Sequence, residues 1–146
     1  MTTSKDGDNL GPCACFRARS MARAITALYD QVLEPCGLRV SQFAILTSIR
    51  MHGAMTMQEL AGELGLDPST MTRTLQPLQR DGYVTAEQGE DRRVRELALT
   101  PRGHRKLGEA FDLWTKAQDD LRDKIGADRF ERLVGDMGAV VSALRP

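Results

Sequence analysis

Two sets of side chains in this sequence have the types and spacing for chemistry. The first is a trio of thiols, Cys13, Cys15 and Cys36. A thiolate is a nucleophile and a soft ligand, and Arg17 and Arg19, with a helix start nearby, favour the thiolate of Cys15. Cys13 is placed to act as a resolving thiol, and Cys36 joins it if the fold or a second copy brings it close. Three readings stay open: inert small residues, a thiol switch, or a soft-ion site for trivalent arsenic or copper(I). Three ligands without a matched histidine spacing suit zinc poorly, so neither a resident metal nor a cofactor is expected.

The second set is polar and cationic. Ser69, Thr70, Thr72, Arg73 and Gln76 fall close together. Further on, Arg92, Arg93, Arg95, Arg102, Arg105 and Lys106 stand against the single acid Glu96, a local excess of five positive charges in a chain of zero formal net charge. Hydroxyls, amides and guanidiniums in this combination bind phosphate oxygens and base edges. An enzyme is not expected, because no nucleophile–base pair, phosphate loop or metal motif occurs. Adjacent acids such as Asp119 and Asp120 suit a solvated helix face better than general acid–base work. His52 and His104 are isolated and read as surface or packing residues.

These side chains must be held by something, and the chain of 146 residues is long enough for one domain with its own core. Aromatics at 5% and charged residues at 27% suit a helix-rich protein. No apolar run approaches the roughly 20 residues of a membrane span, and the polar start has no secretory core. A cytoplasmic protein with no membrane partner is therefore expected, and residues 1–11 read as a disordered tail.

Beyond the tail, apolar residues recur at three- and four-residue steps. Met21, Ile25, Leu28 and Val32 make one helical stripe that ends at Pro35. Ser41 is read as the cap of a second helix with Phe43, Leu46 and Ile49 inward. Thr56 and Glu59 have the form of a capping box, and Gly65-Leu66 makes a tight turn after that third helix. Asp67 caps a fourth helix that opens on Pro68 and stops at Gly82. Residues 83–99 read as a hairpin. Thr100-Pro101 starts a long helix that Gly126 breaks, and Asp128 with Glu131 suggests another capping box for a last helix. The fold class is mainly α with a small β-hairpin: a helix-turn-helix with a wing, flanked by helices at both ends.

Wound at 100° per residue, the fourth helix places Met71, Leu75 and Leu78 on one side. Ser69, Arg73, Gln76 and Arg80 face the other way, with Thr70 and Thr72 on the flanks. Any surface helix has a polar face, so the cationic hairpin beside it carries much of the nucleic-acid reading, since narrow minor grooves attract arginine. Pro77 is expected to bend this helix behind the residues that face outward.

The stretch Asp91 to Gly103, DRRVRELALTPRG, resembles the wing signature of the MarR family of winged-helix regulators. Leu60-Ala61 through Leu75, with Ser69, Thr72 and Arg73, is similar to that family's helix-turn-helix, and Leu78 to Val84 to the end of its recognition helix. The likeness spans residues 13–145. It implies a single domain over 12–146, with dimerisation helices at 12–34 and 101–146 and a DNA-binding lobe at 41–99. It further implies an obligate homodimer on palindromic double-stranded DNA, autorepression, and release by an effector. Arg93 would enter the minor groove, flanked by Arg92 and Arg95, and Asp91 would support the wing. A pocket between the dimer arm and the DNA lobe would take a small aromatic acid or phenol. Cys15-Phe16 resembles the reactive pair of the family's peroxide-sensing OhrR branch, and Thr26 and Tyr29 fit that pattern. Arg19, and Val40 and Phe43 in Val40-Ser41-Gln42-Phe43, stand where that branch has tyrosines. A protein-interaction module built on the long helices, without DNA binding, is the alternative from another class.

Overall fold

Local signals set most element boundaries. The computed structural model describes residues 12–146, so the tail expected at 1–11 lies outside the described residues. Six α-helices and an antiparallel hairpin follow in order: α1 Ala14–Leu33, α2 Val40–His52, α3 Met57–Leu64, α4 Pro68–Arg80, β1 Val84–Gln88, β2 Arg95–Leu99, α5 Pro101–Ile125 and α6 Ala127–Leu144. None of these helices is long and apolar enough to cross a membrane.

The caps explain why the helices start where they do. Thr56 Oγ1 accepts the Glu59 N–H at 3.1 Å, and Glu59 Oε2 accepts the Thr56 N–H at 2.9 Å. The reciprocal pair satisfies two orphan amides of α3. Thr100 Oγ1 accepts the Gly103 N–H at 2.9 Å at the start of α5. Two other expected caps are corrected. Ser41 lies inside the first turn of α2; the Arg39 N–H instead donates to Gln42 Oε1 at 2.9 Å, and the Val40 N–H reaches Asp30 Oδ1 of α1 at 2.8 Å. Asp128 does not cap α6, because the helix begins at Ala127, directly after Gly126 at φ +89°. Glu131 pairs with Arg122 at 3.4 Å instead.

Leu46, Leu60, Met71, Leu75 and Leu78 are fully enclosed where α2, α3 and α4 meet. Val84 and Leu97 of the hairpin seal that core, and Leu107 and Ala110 tie α5 to it. The hairpin pairs Val84 with Leu99 and Gln88 with Arg95. A third edge joins it. Met55 and Leu97 exchange backbone hydrogen bonds at 3.1 and 2.6 Å, a bridge that fastens the α2–α3 link to the wing.

The other half of the molecule is open. α1 lies along α5, and α6 folds back on the end of α5. Within α6 only Phe130 is buried, beneath the Arg122 guanidinium, while Val134, Val140, Val141 and Leu144 are exposed.

Candidate nucleic-acid interface

α4 is positioned by its apolar side. Met71, Leu75 and Leu78 are buried, which turns Ser69, Thr72, Arg73, Gln76 and Arg80 to solvent, with Thr70 half-buried on the flank. The helix runs through Pro77 to Arg80 without interruption. Pro77 has no N–H to give the turn before it.

The front of α4 is organised by Asp67. Its Oδ1 accepts the Thr70 N–H at 2.9 Å and the Ser69 hydroxyl at 2.7 Å, and its Oδ2 accepts the Thr70 hydroxyl at 2.7 Å. The Thr70 amide, then the two hydroxyls, hold this exposed carboxyl far below the usual carboxylate range. Thr72 and Thr74 turn their hydroxyls back to the carbonyls of Pro68 and Thr70, at 2.9 and 2.8 Å. Arg73 Nη2 approaches Thr70 Oγ1 at 3.4 Å. Sequence reasoning treated Asp67 only as a cap. It also missed the start of α2: Arg39, Ser41 and Gln42 share a cleft of about 330 Å³ with Thr70, Arg73 and Pro77. No periodicity links residues 39–42 to residues 70–77; only the packing of α2 on α4 does.

The wing is tied down at both ends. At its tip Asp91 Oδ1 accepts the Arg93 N–H at 3.0 Å, the Asp91 carbonyl accepts the Val94 N–H, and the Val94 carbonyl accepts the Gly89 N–H. This leaves the Arg93 side chain 93% exposed, 3.8 Å from Asp91. Arg92 is exposed beside it, and Arg95 lies along the strand with Nη2 3.3 Å from the Ala86 carbonyl. At the base, Thr100 Oγ1 donates to the Gly82 carbonyl at 2.6 Å. α5 crosses so close there that a Cβ on Gly103 would overlap the Tyr83 carbonyl oxygen. The end of the wing stretch, Leu99-Thr100-Pro101-Arg102-Gly103, is thus a capped helix start pressed against the hairpin base.

The structure redistributes the expected patch of basic residues. Lys106 Nζ is tied to the Cys36 carbonyl at 3.1 Å and to Glu109 at 2.9 Å, and Arg102 stacks over the Tyr83 ring. Only Arg92, Arg93 and Arg95 belong to the wing, which also carries Glu87, Glu90, Asp91 and Glu96. The wing thus carries three arginines against four acids, with Arg92 and Arg93 exposed at its tip.

The cysteines part company. Cys13 and Cys15 are exposed at the start of α1, whereas Cys36 is half-buried and its Sγ lies 3.1 Å from the Leu33 carbonyl. Cys15 and Leu33 lie eighteen positions apart along α1, roughly 27 Å at the α-helical rise. That distance removes a three-thiol ion site within one chain, and Cys36 as a resolving thiol for Cys15 of the same chain. No cluster of three His, Cys, Asp or Glu fit to hold a metal ion occurs among the described residues.

Two further cavities lie away from α4. One of about 490 Å³ opens between α2 and α5, bounded by Arg50, Met51, His104, Leu107 and Phe111. Arg50 Nη1 sits 3.4 Å from His104 Nδ1, and the buried Thr47 Oγ1 in its wall has no hydrogen-bond partner. The other, of about 640 Å³, is an apolar groove between α1 and the α5–α6 corner, with Met21, Ile25, Leu28, Leu121, Ile125 and Leu133 along it.

Comparison with known proteins places these features. The model of the MarR family matches residues 38–94, the span from before α2 to the wing tip. The uncharacterized HTH-type transcriptional regulator YwoH of Bacillus subtilis is 35% identical over 100 residues, covering 68% of this chain and 73% of that protein. Among solved structures, the transcriptional regulator MosR of M. tuberculosis in complex with DNA is 34% identical, with a TM-score of 0.76 over 92% of this chain and 100% of that one. Wild-type MarR of E. coli shares the fold at 22% identity, with a TM-score of 0.71 over 94% of this chain and 100% of its own.

Proposed function

The chain belongs to the MarR family of DNA-binding transcription regulators and is not an enzyme; from that premise we propose that it is a homodimeric repressor of its own operator, released by an effector. Its residues 41–99 form the DNA-binding lobe, and 12–34 with 101–146 form the dimerisation arm. Two lobes related by a two-fold axis set their α4 helices into successive major grooves of a palindrome, about 34 Å apart. Ser69, Thr70, Thr72, Arg73 and Gln76 contact the major groove, Arg93 enters the minor groove between Arg92 and Arg95, and Asp91 holds the wing tip in shape. Arg39, Ser41 and Gln42 add backbone contacts from α2.

The observation that carries the dimer is the open apolar groove. Met21, Ile25 and Leu133 line it, and Val140, Val141 and Leu144 stand exposed on the same arm. A monomer does not gain by leaving so contiguous an apolar surface in water.

The effector reading rests on the cavity between α2 and α5. Its cationic Arg50, the neighbouring His104 ring and the unpartnered Thr47 hydroxyl suit the acid group of a small aromatic molecule. Met51, Leu107 and Phe111 suit its ring. Oxidation at Cys15 is the second route, favoured by its exposure at the start of α1, two residues after the equally exposed Cys13.

Fluorescence anisotropy on a duplex from just upstream of the coding sequence, at fixed salt because phosphate contacts make affinity salt-dependent, tests this. Binding should be tight with reductant and lost on adding salicylate or a mild organic peroxide. Loss with peroxide that Cys15→Ser abolishes assigns the thiol route; loss with salicylate that Arg50→Ala abolishes assigns the cavity. Binding no tighter than to an unrelated duplex would contradict autorepression.

A further inference from the structure

We propose that Asp67 sets the base preference of α4 by drawing the hydroxyl protons of Ser69 and Thr70 inward, so that the helix front offers lone pairs and no O–H donors to the major groove. This rests on the reading of α4 as the helix that enters that groove. A hydroxyl carries one proton. An ionised carboxylate can only accept, so the 2.7 Å contacts of Ser69 Oγ and Thr70 Oγ1 with Asp67 fix both hydroxyls as donors to it. Thr72 and Thr74 have spent their protons too, on backbone carbonyls that likewise only accept. All four hydroxyls of α4 therefore present acceptors.

An independent contact agrees with that polarity. Arg73 Nη2 is aimed at Thr70 Oγ1 at 3.4 Å, which makes Thr70 the acceptor of an arginine donor while its own proton goes to Asp67. The relay Arg73 to Thr70 to Asp67 places the guanidinium at the front of the helix. Asp67 itself stays ionised at any physiological pH, held by the Thr70 amide and the two hydroxyls.

The chemistry of the groove then limits the partners. Phosphate oxygens, guanine N7 and O6, and thymine O4 are acceptors and gain nothing from a hydroxyl without a free proton. The exocyclic amino groups of cytosine and adenine are donors and match it. The structure thus assigns cytosine or adenine to the positions under Ser69 and Thr70, and leaves guanine to Arg73.

The test is Asp67→Asn. Asparagine caps a helix as well as aspartate, and its carbonyl keeps the Thr70 amide. Its NH2 donates, so one hydroxyl becomes an acceptor toward it and turns its proton outward. Wild type and variant are each used to select duplexes from a randomised pool, and single-base-pair variants of the wild-type site are then titrated by anisotropy. Wild type should lose about tenfold in affinity when the cytosine or adenine under the helix front is replaced by guanine or thymine, the size of an ordinary single mismatch. In Asp67→Asn that discrimination should collapse at one or two positions only, and in a Ser69→Ala/Thr70→Val background the same change should alter no preference. A variant with the wild-type preferences, even if its affinity rises uniformly through loss of negative charge, would overturn the proposal. So would a shift that persists without the hydroxyls. A wild-type protein that enriches no sequence would overturn the DNA reading together with it.

Discussion

The lobe of α2, α3, α4 and the wing closes its core within one chain, whereas the arm of α1 and α6 does not. In the lobe, Leu46, Leu60, Met71, Leu75 and Leu78 lose essentially all contact with water. In the arm, Phe16 is 63% and Leu144 79% exposed, and the groove past Ile25 and Leu133 stands open. Both regions carry helical apolar stripes of similar appearance in the sequence. The difference lies in how far each stripe is covered: by neighbouring elements on all sides in the lobe, and by α5 on one side only in the arm. In the proposed function the first region is the reading head and the second is completed by another copy of the chain.

The change expected to do most damage attacks the open side. Ile25→Arg places an unpaired charge in the groove, which a partner would have to bury at a cost of several kcal/mol. Sedimentation velocity should show a monomer, and operator affinity should fall at least a hundredfold, while far-UV circular dichroism stays unchanged. A dimer that survives Ile25→Arg would break the comparison. Next comes the closed side. Leu75→Ala removes a side chain only 1% exposed and should cost about 2–5 kcal/mol in urea unfolding. Gly103→Ala forces a methyl into the Tyr83 carbonyl and should cost about 1–3 kcal/mol by the same measurement, as overpacking does. Arg93→Ala should leave stability alone, weaken operator binding about tenfold and lower the salt slope by about one phosphate contact. The smallest effect is Thr56→Ala, which removes the α3 cap and should cost about 1 kcal/mol of stability without touching DNA.

What was legible in the sequence follows the same division between near and far. The starts of α3, α4 and α5 could be read because Thr56 with Glu59, Asp67 with Pro68, and Thr100 with Pro101 act within one helical turn. The inward faces of α2 and α4 could be read because burial imposes the helical period on Phe43, Leu46, Met71 and Leu75. The Met55–Leu97 bridge was not legible, since it joins segments 42 positions apart through a single residue pair with no pattern of its own. Nor was the fate of Lys106, which the sequence places among free cations and the fold ties to the Cys36 carbonyl. Asp67 lay between these cases. Its role as a cap shows in the local sequence, but its hold on two side-chain hydroxyls depends on rotamers that only the folded helix fixes.

The stoichiometry of the DNA complex tests the pairing of two reading heads most directly. Sedimentation equilibrium of the protein with a fluorescent duplex carrying the selected palindrome should give two chains per duplex, with no species of one chain per duplex at sub-stoichiometric protein. A stable complex of one chain on one duplex would contradict the claim that the open arm exists to pair two reading heads.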